Sequence, residues 1–167
     1  GLPDGWLNVL TCENDVAQSI VEDQRVRMLS FTGSASVGWH LKSLIPKKKV
    51  TLELGGNGAV IVDEVTDIES LVKSLVVSGY SYAGQVCISL QNLYIIDTLY
   101  DEVTARFVEA AKNVIVGDPS NEDTIVGPMI HPQAAEKAWR WVEDAISNGA
   151  TKLCGEFQRA NIITPTI

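Results

Sequence analysis

The stretch "RMLSFTGSASVGWHLKSLIPKKKVTLELGG" spans residues 27–56 and decides the fold. "RMLSFTG" (27–33) is apolar and β-rich and predicts a strand. "SASVGWHLKSLI" (34–45) predicts a helix with Ser34 at its N-cap and an apolar stripe of Val37, Leu41, Leu44 and Ile45. Pro46 helps to end it. "KVTLEL" (49–54) predicts a second strand, stopped by Gly55-Gly56. A strand, a helix and a strand joined by short connections form the unit from which parallel sheets are built.

The same alternation extends both ways. Upstream, "WLNVLTC" (6–12) predicts a buried strand, and "ENDVAQSIVED" (13–23) a helix with Val16, Ala17, Ile20 and Val21 on one face. Downstream, "GAVIVDE" (58–64) and "NLYIID" (92–97) predict strands around a helix over 67–84 that carries Ile68, Leu71, Val72, Leu75 and Val76. Further helices are expected over 100–117, through Val103, Phe107, Ala110 and Val114, and over 131–150, through Ala135, Ala138, Trp139, Val142 and Ile146. "TKLCG" (151–155) and "NIITPTI" (161–167) predict short strands. The expected fold is α/β: three layers, doubly wound, with mostly parallel sheets flanked by helices. Gly55-Gly56 is the best candidate boundary. Both ends of the chain break into apolar patterns, so an excerpt of a larger protein is expected.

Composition narrows the function. The chain has 167 residues, 46% hydrophobic and 20% charged, with a formal charge of −8. Lys47-Lys48-Lys49 is its one basic cluster, which argues against nucleic-acid binding. Charged residues interrupt every apolar run, so no membrane span is expected, and no leader marks the chain for export. Cys12, Cys87 and Cys154 are odd in number and far apart, and only His40 and His131 could join them. Neither a disulfide framework nor a metal site is expected, and a cytoplasmic location fits free thiols.

Three stretches could carry chemistry. In "SFTGSASVG" (30–38) a strand passes through Gly33 into a helix start, where free backbone N–H groups suit a phosphate; an ordinary capped turn would look the same. It is not the G-x-G-x-x-G fingerprint. In "TLELGGN" (51–57) Glu53 lies one residue before a strand ends. Were the strand buried on both faces, its poorly solvated carboxylate would suit a general base; otherwise it is ion-paired or turned to water. In "GQVC" (84–87) Gly84 breaks the helix and Cys87 follows in a connection, the setting of a reactive thiol, although cysteine is commonly a small buried hydrophobe. Cys12 and Cys154, inside strand patterns, are expected to be of that buried kind. Nothing in the spacing puts a histidine beside Cys87, as a cysteine hydrolase would need.

In this order, "SFTGSASVG", "VTLELGGN" and "GQVC" resemble the aldehyde dehydrogenase superfamily, and the Glu53-to-Cys87 separation, 87 − 53 = 34 residues, fits it. "GLPDGWLNVL", "VGDPSNEDTIVGPMI", "GATKLCGE" and "ITPTI" extend the resemblance over essentially the whole chain. The resemblance implies a nicotinamide cofactor, NAD or NADP, and a small-molecule aldehyde substrate. It implies that Cys87 is the nucleophile, forming a thiohemiacetal that loses hydride to become a thioester, and that Glu53 is the base for its hydrolysis. Gly33 and Ser34 would lie at the cofactor pyrophosphate, Val37 and Gly38 beside the dinucleotide, and Leu54 and Gly55 near the nicotinamide. Residues 1–52 would close a Rossmann-like cofactor domain and 53–167 open the catalytic domain.

The family's oxyanion-holding asparagine would precede Gly1. Its nicotinamide-ribose glutamate and its dimer-forming flap would follow Ile167. The resemblance therefore implies a homo-oligomeric parent and an inactive isolated chain, since oxyanion stabilisation is usually a large catalytic term. Cys12-Glu13-Asn14 departs from the family, many members having glycine near the cofactor there. The alternatives are a non-catalytic module of the same fold, which would need neither Glu53 nor Cys87; a CoA-acylating semialdehyde dehydrogenase, which tends to lack the glutamate; and a cofactor-free cysteine hydrolase.

Overall fold

The computed structural model describes residues 1–158 and 161–167. The chain divides into two compact units, Gly1–Gly55 and Gly56–Ile167. Both are built on parallel strands joined through a helix, the α/β class that the alternation predicts.

The first unit contains α1 (Asn14–Glu22), β1 (Met28–Gly33), α2 (Ala35–Leu44) and β2 (Lys49–Leu54). β1 and β2 pair in parallel, from Met28 opposite Lys49 to Gly33 opposite Leu54. α2 crosses between them and packs on both strands. Leu41 and Ile45, four residues apart, point at the sheet and are buried, while Val37 and Leu44 from the same stripe remain exposed. The Lys48 ammonium donates to the carbonyls of Val21 (2.5 Å) and Asp23 (2.6 Å), satisfying acceptors that the end of α1 leaves open.

One expectation fails here. Residues 6–12 form no strand, and Trp6, Leu7, Val9 and Leu10 are all more than 70% exposed. An apolar run becomes a strand only against a neighbour that completes its hydrogen-bond ladder, and the unit's described pairing joins β1 to β2 alone. The apolar face of α1 is likewise uncovered, with Val16 and Ile20 exposed.

The second unit begins with β3 (Gly58–Val62), α3 (Ile68–Tyr80) and β4 (Leu90–Ile95), followed by α4 (Asp97–Lys112) and α5 (Pro132–Ser147). β3 and β4 pair in parallel, with an irregularity between Gly58 and Ala59. Asp67 starts α3: its carboxylate accepts from the Ser70 backbone N–H (3.1 Å) and hydroxyl (2.7 Å), which holds that carboxyl below the usual carboxylate range. The core joins Val72, Leu75 and Val76 of α3 to Val103 and Phe107 of α4, with Leu90, Leu93 and Ile95 of β4 against them. Tyr80 stacks on Phe107 at 6.0 Å between ring centres, and burial pushes its phenol above the ordinary range.

The helix expected over 67–84 stops at Tyr80, and the one expected over 100–117 runs from Asp97 to Lys112. The strands expected at 151–155 and 161–167 are irregular. They lie alongside each other through Leu153 N–H to Ile167 C=O (2.7 Å) and Ile167 N–H to Cys154 C=O (3.3 Å), but Gly155, at φ +107°, bends the first segment before a ladder forms.

Leu75 is 2% exposed at the centre of this core. Leu75→Ala is expected to destabilise the unit by about 2–5 kcal/mol through lost burial and the cavity left behind. Urea denaturation checks it, and a loss of less than 1 kcal/mol would show that the site collapses around the smaller side chain.

Candidate active site

In the first unit the candidate residues gather at the carboxyl ends of β1 and β2, the edge where open parallel sheets bind ligands. The register sets Gly33 beside Leu54 and Thr32 beside Glu53. Gly38, buried on α2, closes the group from the helix side: a Cβ there would stand 2.6 Å from Leu54 Cδ2, so a larger residue would have to push the Leu54 side chain aside. Gly55 continues from Leu54 into open space.

Ser34 occupies the N-cap of α2 with extended backbone, but its hydroxyl makes no cap bond and pairs instead with the Ser36 hydroxyl (3.2 Å). The first-turn N–H groups of α2 are therefore not taken up by the cap side chain. Open amides, the positive end of the helix dipole and two hydroxyls fit a phosphate, and Val37, 45% exposed, flanks them.

Glu53 is exposed, not buried. β2 alternates, with Val50, Leu52 and Leu54 on its half-covered face and Thr51 and Glu53 on the open one. The expectation of a poorly solvated carboxylate assumed both faces covered, and within this unit one is open.

In the second unit the candidate site is the connection from α3 to β4. After Tyr80 the chain makes a tight turn, Ser81–Gly84. Tyr82 (φ 54°, ψ 36°) and Ala83 (φ 55°, ψ 35°) are left-handed, and Gly84 follows at φ +70°. Two non-glycine residues in this region cost on the order of 1–2 kcal/mol each, and such strain persists only where surrounding contacts hold it.

Three residues bracket the turn. Gln85 donates from Nε2 to the Tyr82 carbonyl (3.1 Å) and accepts the Ile130 N–H at Oε1 (3.3 Å). Ser89 is buried, and its hydroxyl donates to the carbonyl of Ser78 (3.2 Å) near the end of α3. Gly56 lies against the Cys87 carbonyl, and a Cβ on it would come within 2.6 Å of that backbone oxygen.

Cys87 emerges from this frame exposed to solvent. Cys12 is exposed too, on the irregular segment where a buried strand was expected. Cys154 is half-buried, its Sγ 3.6 Å from the Pro165 carbonyl, and burial pushes its thiol up, away from reactivity. His131 accepts the Ala134 N–H at Nδ1 (3.0 Å) as the N-cap of α5, which leaves that nitrogen unable to serve as a base. No cluster of three or more metal-ligating side chains occurs among the described residues. A cavity of about 690 Å³ lies behind the turn, between β4, α4, α5 and the C-terminal segment, but Cys87 does not line it.

The sequence gives no sign of Ser89, because one buried serine at a strand start breaks no periodicity. The contact of Gln85 joins residues 45 apart, beyond any local pattern.

The chain is 37% identical over its whole length to a 3-sulfolactaldehyde dehydrogenase of Priestia aryabhattai, of which it covers 35%. It superposes on an NAD-dependent aldehyde dehydrogenase of Sinorhizobium meliloti with a TM-score of 0.94 at 36% identity, covering 99% of this chain and 34% of that one. A glyceraldehyde-3-phosphate dehydrogenase of Methanocaldococcus jannaschii, solved with NADP, matches at 0.86 and 38% identity, covering 90% and 33%. The chain thus spans about a third of the length of these relatives. The sequence profile described as the aldehyde dehydrogenase family matches residues 1–167, from the first residue to the last, and to that family the chain belongs.

Proposed function

We propose that this chain supplies the nucleophile, the base and part of the cofactor cradle of an enzyme that oxidises an aldehyde to a carboxylic acid with NAD or NADP. The observation that carries the reading is Cys87: an exposed thiol three residues beyond a strained, bracketed turn, in a chain of this family.

The chemistry follows from the residues. The Cys87 thiolate attacks the aldehyde carbonyl carbon, forming a C–S bond and an oxyanion. A nicotinamide cofactor, when bound, supplies the acceptor for the hydride that this adduct gives up on becoming a thioester. Glu53 takes a proton from water, the water oxygen adds to the thioester carbonyl, and the C–S bond breaks to release the acid and the thiolate. The first-turn amides of α2, with Gly33 and Ser34, would hold the cofactor's pyrophosphate, and Val37, Gly38, Leu54 and Gly55 would line the rest of its cradle.

Residues 1–52 close the cofactor domain and 53–167 open the catalytic one. The structural division between Gly55 and Gly56 falls three residues (55 − 52) beyond that boundary. The parent enzyme is a homo-oligomer, and three free cysteines support its placement in a reducing cytoplasm. No helix among the described residues is long and apolar enough to cross a membrane.

The test is NAD(P)H formation, followed by absorbance with a panel of small aldehydes, for the enzyme of the relatives' length and for the 167-residue chain. Turnover by the long protein and silence from the short one is the expected result. Silence from both, with either cofactor, would favour a non-catalytic module. Turnover that requires CoA would favour an acylating enzyme.

A further inference from the structure

We propose that Gln85 is a positioning residue, whose side-chain amide locks the strained turn before Cys87 onto the segment that leads into α5; the inference rests on the reading of Cys87 as the nucleophile. Tyr82 and Ala83 are left-handed without being glycine, so the turn relaxes unless something over-determines it. Gln85 meets that need with both ends of one amide. Nε2 joins the Gln85 backbone N–H (3.1 Å) on the Tyr82 carbonyl, beside the strained peptide, and Oε1 alone holds the Ile130 N–H, 45 residues along the chain.

The far anchor is itself braced. Met129 N–H donates to the Asn161 carbonyl (2.7 Å), and the Asn161 side-chain amide donates back to the Met129 carbonyl (2.5 Å). Upstream, Gly117 N–H bonds the Val126 carbonyl (3.0 Å), and Ile125 N–H the Ile115 carbonyl (3.1 Å). The segment 115–130 is thus closed on itself and tied to Asn161, a firm post for the turn. Cys87 lies two residues beyond Gln85, so a slackened turn moves the sulfur. Misplacement of a reacting atom by about 1 Å can cost on the order of 100-fold in rate.

Two variants test this in the long enzyme, with amide exchange as a readout that does not depend on turnover. Gln85→Ala removes both side-chain bonds, frees the Ile130 N–H and leaves the Tyr82 carbonyl only its bond from the residue-85 backbone N–H. It is expected to lower kcat by about 10- to 100-fold, to change KM for the aldehyde by less than about threefold, and to speed exchange of the Ile130 amide by about tenfold, while the amides of α3 and β4 keep their protection. Gln85→Glu keeps the acceptor for Ile130 N–H but loses the donor to Tyr82, and should recover part of kcat and most of the Ile130 protection.

Gln85→Ala with kcat and Ile130 exchange both within twofold of wild type would overturn the proposal. So would Gln85→Glu as impaired as Gln85→Ala, or a loss of kcat matched by loss of protection across the whole unit. If wild-type enzyme forms no NAD(P)H from any aldehyde, the catalytic reading fails and the positioning role fails with it. Fast Ile130 exchange in Gln85→Ala would then show that the clamp itself is real, which separates the two failures.

Discussion

Cys87→Ala in the long enzyme is expected to abolish NAD(P)H formation, a loss on the order of 10⁴-fold or more, with no change in fold. The two halves of this expectation rest on different facts. The chemical half follows from covalent catalysis: alanine offers no electron pair to the carbonyl, and no thioester can form without the sulfur. The structural half follows from exposure. The Cys87 side chain faces solvent, and its thiol enters no hydrogen bond among the described residues. Losing one exposed sulfur should therefore change stability by no more than about 0.5 kcal/mol. Cys154→Ala makes the contrast: it removes a half-buried thiol and should cost stability more than turnover. Steady-state rates and thermal melts of both variants decide the matter. Full activity in Cys87→Ala would sink the covalent mechanism, since neither Cys12 nor Cys154 belongs to the bracketed turn.

The legibility of this chain in its sequence tracks the range of the interactions involved. β1, α2 and β2 are plain in residues 27–56 because their signals are local: an apolar run, a stripe at helical spacing with Pro46 behind it, a second apolar run ended by two glycines. α3, with Leu75 at its centre, is legible for the same reason, although not its end at Tyr80. The segments 6–12, 151–155 and 161–167 carry the same apolar signal and form no strands, because a strand is a property of a pair, and composition cannot say whether a partner stands beside it. The site divides likewise. Gly84 before Cys87 marks a broken helix and a thiol in a connection. The left-handed Tyr82 and Ala83, the Gln85 bond to Ile130 and the hydroxyl of Ser89 on the end of α3 arise from tertiary packing. Glu53 shows the limit most clearly. Its place at a strand end is legible, whereas its exposure depends on how many layers cover β2, and no residue near it encodes that number.

Glu53→Gln should separate the two halves of the reaction. Glutamine has the shape of glutamate, and the position is exposed, so the variant should fold as wild type does, within about 0.5 kcal/mol. It should also form the thioester, since attack by sulfur and loss of hydride need no carboxylate at that position when the thiol ionises unaided. Hydrolysis does need one. An amide cannot take the proton from water, and a positioned general base contributes roughly 10²- to 10⁴-fold. Rapid mixing should therefore show a burst of about one NAD(P)H per site, followed by a steady state slower by that factor. Mass spectrometry of the quenched protein should find the acyl group on the peptide that carries Cys87. Adding an external thiol should restore turnover, because a good nucleophile needs no base to accept the acyl group. A variant with no burst would place Glu53 in thiol activation instead, and a wild-type steady state would remove it from the mechanism. The burst also tests Cys87 independently, since an acyl adduct found on Cys12 or Cys154 would move the nucleophile away from the turn that Gln85 and Ser89 hold.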